Sequence, residues 1–342
     1  MSSQSIKRLL SSFSGILPIE KLMLPKGHRF IMPFWHTISD APLPHLSQLY
    51  RVQSTQEFER TLDFLLKTYK PASVDDLFRL ATTGERSQKK LFFPSFDDGL
   101  TECYQVIAPI LKRKGIQAAF FINPMFVDNN TLFHRHKASL ILNAIQEQKS
   151  KASGFIEAEK LLQQRFNNNN LHQFLHHTVY TDHWLLDQVA RIFGIDFGQY
   201  CAHQQPYMTL DQIKELQQQG FLIGAHGMDH REFYLSSEEE IMEQISGSMD
   251  FLIQQVNPPV KSFAFPYTDF NVPDAIFDRA NKDKLWDMSF GTAGIKDENM
   301  PNHLQRIPME SSAKENGKQV IRTEYLWYYL KSVMGKNKVR RQ

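Results

Sequence analysis

Cysteine is nearly absent: Cys103 and Cys201 are the only two in 342 residues. So few thiols exclude a disulfide scaffold and a cysteine-built zinc site, and apolar surroundings mark each as a small buried residue. Excess charge of one sign is missing too. Lys plus Arg number 39 against 37 Asp plus Glu, a formal net charge of +2. With no basic stripe interleaved with aromatics, nucleic acid is not expected as a partner. No run approaches the roughly 20 apolar residues of a membrane-spanning helix. The short apolar stretch near the start is broken by polar residues and followed by no small-residue cleavage site, so a secretory signal is not expected and a cytoplasmic location is. Internal repeats are absent. What remains is 42% hydrophobic and 22% charged, ordinary for a globular protein and long enough for one large domain with insertions.

Short apolar runs alternate with helical patterns along most of the chain. HRFIMPFWHTIS opens as a strand, and TQEFERTLDFLLKTY follows with Phe58, Leu62, Leu65 and Leu66 at helical spacing. KLFFPSF reads as a buried strand, TECYQVIAPILKRKG as a helix stopped by Gly115, and AAFFINP as the next strand. Further on, FLIGAHG, SFAFPY and MSFGTAG are strands separated by helical segments. This alternation predicts parallel βαβ units, with chemistry at the carboxyl ends of the strands. From about 127 to 206 the chain is polar, rich in Gln, Asn and His, and helical in pattern; it reads as an insertion, with FNNNN as a loop tip. The expected division is an amphipathic segment over 1–27, a barrel with its insertion over 28–315, and a helix with a basic tail over 316–342. The termini either pack on the domain with the tail solvated, or rest on an anionic membrane surface.

Three segments at strand ends carry candidate chemistry. In SFDDG, Asp97 and Asp98 are adjacent carboxylates, whose repulsion calls for a cation or hydrogen bonds; an ordinary turn is the plainer reading. In HGMDH, His226 and His230 are spaced so that a helical turn would let them share one metal; two surface loop histidines are the alternative. In FAFPYTD, Pro266 fixes the backbone, so the Tyr267 amide is available as a rigid oxyanion donor; a plain turn has the same composition.

Taken in order, SFDDG, HxxxH and FxxPY resemble the motifs of the polysaccharide deacetylase family (NodB homology, carbohydrate esterase family 4). The resemblance runs from His28 to about Glu310, apart from the insertion. It implies an α/β fold, a distorted (β/α)7-type barrel, and a divalent metal, usually zinc. It also implies an N-acetylated amino-sugar substrate. By the same resemblance Asp97 matches the general base, Asp98, His226 and His230 the metal ligands, and Tyr267 the oxyanion-hole amide. Two positions depart. Ala264 stands where the family carries an arginine that orients the base, and no histidine follows His303 to match the usual acid. FWHTISD resembles a branch in which a first-strand histidine is the acid, which His36 matches; a hydrogen-bonded core histidine is the alternative. Arg306, in LQRIP, is the candidate for the missing arginine, against a structural ion pair. His134, Arg135, His136 and Lys137 form a basic cluster, read as a solvated helix face or as a contact for anionic substrate groups. The expected activity is metal-dependent removal of N-acetyl groups from a glycan or its precursor. A glycan-binding domain without turnover and a hydrolase of another C–N bond remain as alternatives.

Overall fold

The computed structural model describes residues 29–85, 87–147, 152–166, 170–310, 315–339 and 341. The amphipathic segment expected over 1–27 lies outside them. The apolar runs become very short parallel strands: β1 (Phe30–Ile31), β2 (Pro33–Trp35), β3 (Lys70–Pro71), β4 (Leu91–Phe92), β5 (Ser95–Phe96) and β6 (Ala119–Ile122). The later ones are β7 (Leu222–Ala225), β8 (Ser262–Ala264), β9 (Met288–Gly291), β10 (His303–Gln305) and β11 (Ile307–Pro308). Eight of them form one sheet in the order β10-β9-β8-β7-β6-β5-β2-β11, and β1, β4 and β3 form a small second sheet. Only Arg306 separates β10 from β11. The segment therefore pairs β9 with its first half and β2 with its second, closing a distorted (β/α) barrel of seven staves.

Side chains alternate in and out along the strands. Ala119, Phe121, Leu222, Ala264, Met288 and Phe290 form an inner cluster, into which helix Val74–Thr83 packs Leu77, Leu80 and Ala81. Trp35, Phe96, Phe120 and Phe263 belong to the outer cluster, together with Phe58, Leu62 and Leu65 of helix Thr55–Thr68. Inside, space is tight: a Cβ on Gly224 would stand 2.5 Å from the Phe121 ring and from Ser262 Oγ. Both cysteines are buried and free.

The polar stretch after β6 folds as helices His134–Glu147, Ala152–Phe166, Leu171–His177, His183–Ile192 and Phe197–Gln204, with a core of their own that includes Ile141, Leu162, Leu175 and Val189. The basic cluster at its start is not a solvated face. His134, His136 and Lys137 are buried, because each has a distant polar partner: Glu232 Oε1 at 3.2 Å, the Tyr207 hydroxyl at 2.8 Å and Asp187 Oδ1 at 2.8 Å. At the other end of the chain, helix Gly317–Val333 packs on helix Thr55–Thr68. Nor is the basic tail simply solvated: the Arg341 side chain is 4% exposed, bonded to Asp269 and Glu298. Among the described residues no helix is long and apolar enough to cross a membrane.

Candidate active site

Every residue singled out from the motifs emerges at one end of the barrel. His36 follows β2, Asp97 and Asp98 follow β5, His226 follows β7, and Tyr267 lies three residues beyond β8. Parallel strands make this inevitable, since their carboxyl ends share a rim.

Asp97 is buried, and Arg306 meets it with both arms: Nη1 donates to Oδ1 at 2.6 Å and Nη2 to Oδ2 at 2.9 Å. The guanidinium is wholly buried inside the barrel. It also donates to Ser95 Oγ and the Gly291 carbonyl, and lies 4.5 Å from the centre of the Phe34 ring. Ala264 offers no guanidinium; Arg306 approaches from a stave two places further round. Burial pushes the Asp97 carboxyl up, but the charge and hydrogen bonds of Arg306, with His226 and His36 beside it, together outweigh burial and hold the carboxyl below its usual range.

Asp98 and the two histidines form a second unit. Their ligand atoms all lie within 4.8 Å of one another. Asp98 Oδ1 is buried and accepts no hydrogen bond, although His230 Nε2 lies 3.1 Å away and His226 Nε2 3.6 Å away. His226 Nδ1 donates to the Ala264 carbonyl at 2.8 Å, which leaves Nε2 as the bare nitrogen of a neutral ring. Burial keeps that ring neutral, its pKa lowered to about 4. A lone pair on nitrogen thus faces an orphaned carboxylate oxygen, and a divalent cation between them would satisfy both. The donor set of one carboxylate and two imidazoles suits zinc.

The expectation of a helical turn for HGMDH is not met. Residues 226–230 form a loop, with Gly227 at φ 73° and His230 at φ 57°. Asn123 Nδ2 holds it by the His226 and Gly227 carbonyls, and Gln244 Oε1 accepts from the amides of Met228 and Asp229. The two rings still converge, with centres 4.8 Å apart. SFDDG, for its part, is both a turn and a site residue pair, with Asp98 at φ 71° and Gly99 at φ 66°.

Tyr267 also lies in the left-handed region, at φ 56°. Its carbonyl accepts from Thr292 Oγ1 at 3.1 Å, and its ring stands edge-on to His230 at 4.7 Å. Its backbone N–H makes no hydrogen bond among the described residues.

His36 has a partner that motif reading missed. Glu310 accepts from the His36 amide at 2.7 Å with one oxygen and bonds Nδ1 with the other. Burial alone would lower the imidazole's pKa, but Glu310, with Asp98 and Asp97 behind it, raises it to about 10. The ring is therefore held as imidazolium, Nε2–H free of that pair. Nothing local to MESS marks Glu310; the available signal was its place just beyond β11, the stave hydrogen-bonded to β2.

A second cluster, Asp269, Glu298 and His303, also has metal-ligand geometry. Here no cation is needed. Asp269 Oδ2 already accepts from Gln305 Nε2 at 2.7 Å and Arg341 Nη2 at 2.8 Å, with His303 Nε2 at 3.1 Å. Arg341 supplies the positive charge.

Known proteins resemble the chain in family and in fold. A family described as polysaccharide deacetylase matches residues 84–282, more than half of the chain. None of the curated proteins compared matches. Among solved structures, the Streptococcus pyogenes deacetylase PplD in complex with acetate is 15% identical with a TM-score of 0.55, covering 86% of this chain and 97% of its own. IcaB from Ammonifex degensii is 16% identical with a TM-score of 0.51, over the same shares of the two chains. A de-N-acetylase from Aggregatibacter actinomycetemcomitans is 13% identical with a TM-score of 0.50, covering 81% of this chain and 93% of its own. At such identities the likeness is one of fold.

Proposed function

The chain belongs to the polysaccharide deacetylase family, and we propose that it hydrolyses the N-acetyl groups of an amino-sugar-containing glycan or glycan precursor with the help of a divalent cation, zinc by preference. The observation that carries the reading is the orphaned Asp98 oxygen facing two imidazoles, next to an ionised Asp97 clamped by Arg306.

An amide resists hydrolysis because its carbon is a poor electrophile and its nitrogen a poor leaving group. A divalent cation on Asp98, His226 and His230 would polarise the acetyl carbonyl and bring the pKa of water down to about 7. Asp97 takes a proton from the attacking water, its carboxylate held in place by the two Arg306 bonds. The free Tyr267 amide receives the developing oxyanion; one such donor is worth about 2.7–4 kcal/mol. His36 gives the proton from Nε2 to the nitrogen as the C–N bond breaks, since Nδ1 is tied to Glu310. Acetate and a free amine leave. Because Arg306 occupies the place at the base that Ala264 cannot fill, the reading as a binding domain without turnover loses its main motive.

The test is acetate release from a panel of N-acetylated sugars and oligosaccharides. Chelated protein should be inactive and recover with one equivalent of zinc. A fully zinc-loaded protein that releases no acetate from any of them overturns the proposal.

Glu310→Gln tests the acid. Glu310 favours the charged imidazole, so its loss must lower the His36 pKa. The alkaline limb of kcat should move to lower pH by about one unit or more. An unmoved limb removes His36 from the acid role.

A further inference from the structure

The start of the helical insertion reaches the site. Phe133, just before its first helix, lies 4.5 Å ring to ring from His230, on whose ring Tyr267 also packs at 4.7 Å. His134, buried, points Nε2 at Glu232 Oε1, 3.2 Å away, and at the Tyr267 hydroxyl, 3.5 Å away. The other Glu232 oxygen accepts the Tyr180 amide at 3.0 Å, and Tyr180 is again part of the insertion. Arg231, bound to Asp229, lies 4.2 Å over the Tyr180 ring. One carboxylate, two residues after His230, thus joins the insertion to the loops beyond β7 and β8.

Both of those loops carry backbone strain. His230 and Tyr267 both take positive φ without being glycine. Such conformations are costly outside glycine and persist only where the surroundings over-determine them. On the barrel side Thr292 anchors the Tyr267 carbonyl. On the open side His230, Phe133 and Tyr234 pack against the ring, and His134 Nε2 faces its hydroxyl. A ring pinned at its face and at its hydroxyl holds the Cα–Cβ bond in place, so a change of φ at Tyr267, which sets the direction of its amide, would have to break those contacts.

We propose that the insertion is a positioning device for the oxyanion hole, in which His134 and Glu232 hold Tyr267 in the left-handed conformation that aims its amide at the reacting carbonyl. This rests on the reading of Tyr267 given above. His134 and Glu232 are positioning residues: they act through Tyr267. The device explains why the insertion starts with buried polar residues instead of an ordinary solvated helix.

The experiment compares wild type, His134→Phe, His134→Gln and Tyr267→Phe, all loaded with Co2+ and assayed on an acetylated amino sugar. His134→Phe should lower kcat about ten- to a hundredfold, with KM changed less than about threefold. His134→Gln, which restores an N–H toward Glu232, should recover most of the loss, and Tyr267→Phe should show a partial one. Affinity for a methylphosphonamidate analogue, tetrahedral like the intermediate, should fall by the same factor as kcat/KM, while affinity for planar acetate holds. Co2+ titration should still saturate at one equivalent. The proposal is overturned if kcat is unchanged in both His134→Phe and Tyr267→Phe. It is equally overturned if the loss lies in KM alone or follows lost Co2+. Should His134→Phe fail to fold, Tyr267→Phe gives the same readouts alone. Wild type carrying full Co2+ yet releasing no acetate is a different failure: it overturns the deacetylase reading and takes this inference with it.

Discussion

Asp97→Asn is expected to keep a full equivalent of divalent metal and to lose about 10²–10⁴-fold in kcat. In the proposed mechanism the two adjacent aspartates divide the work by what faces them. Asp98 Oδ1 looks at two imidazole nitrogens, whereas both Asp97 oxygens are engaged by Arg306. An amide at position 97 keeps one acceptor for the guanidinium and the shape of the pocket, but it cannot take a proton from water. Asp98→Asn should do the reverse, losing metal first and activity as a consequence. The measurement is metal content alongside kcat for both variants, with melting temperature as the check on folding. Turnover retained in Asp97→Asn at full metal occupancy removes the base assignment; metal lost from it as readily as from Asp98→Asn merges the two roles.

The division between what could and could not be read from sequence follows the range of each interaction. Helix Thr55–Thr68 starts at a Ser54–Glu57 capping box, all within a few residues, and its pattern is plain. The run KLFFPSF is equally plain as apolar, but it breaks at Phe93–Pro94 into strands of two different sheets, which no local pattern announces. TECYQVIAPILKRKG reads as one helix, yet Cys103–Ile107 winds as a π-helix before Ala108–Arg113 continues as an α-helix. In HGMDH the residue types were legible and the backbone was not: Gly227 and His230 in left-handed conformations turn a supposed helical turn into a loop.

Polar residues were the hardest to place, because their meaning depends on a partner remote in sequence. His134 looked solvated until Glu232, nearly a hundred residues on, was opposite it. Glu310 carried no motif at all; it meets His36 only because β11 pairs with β2 across the closure of the ring. Arg306 could be nominated only for the arginine that the family resemblance leaves missing, because it too follows a late strand. That both its arms engage Asp97 is a consequence of the chain passing from β10 to β11 with one residue between.

Arg306→Met should cost stability and activity together, and the two should vary with pH in a defined sense. Removing one partner of a buried ion pair leaves an uncompensated charge, typically about 3–5 kcal/mol. In the wild type the depressed Asp97 pKa contributes stability that is present above the unfolded carboxyl value near 3.8 and is lost as pH falls through the folded one. Without the arginine, burial dominates and the Asp97 pKa rises. The destabilisation should therefore be largest at pH 8 and shrink toward pH 5 as the stranded carboxyl takes up a proton. The acidic limb of kcat should shift to higher pH for the same reason, because a protonated Asp97 cannot act as base. Arg306→Lys keeps a charge but cannot make the paired bonds while also reaching Ser95 and Gly291, so it should fall between the two. Denaturant unfolding at both pH values and a kcat profile decide the matter. An Arg306→Met protein with wild-type stability at pH 8 and an unmoved acidic limb would mean that Asp97 does not depend on its guanidinium, and the base would have to be sought elsewhere on the rim.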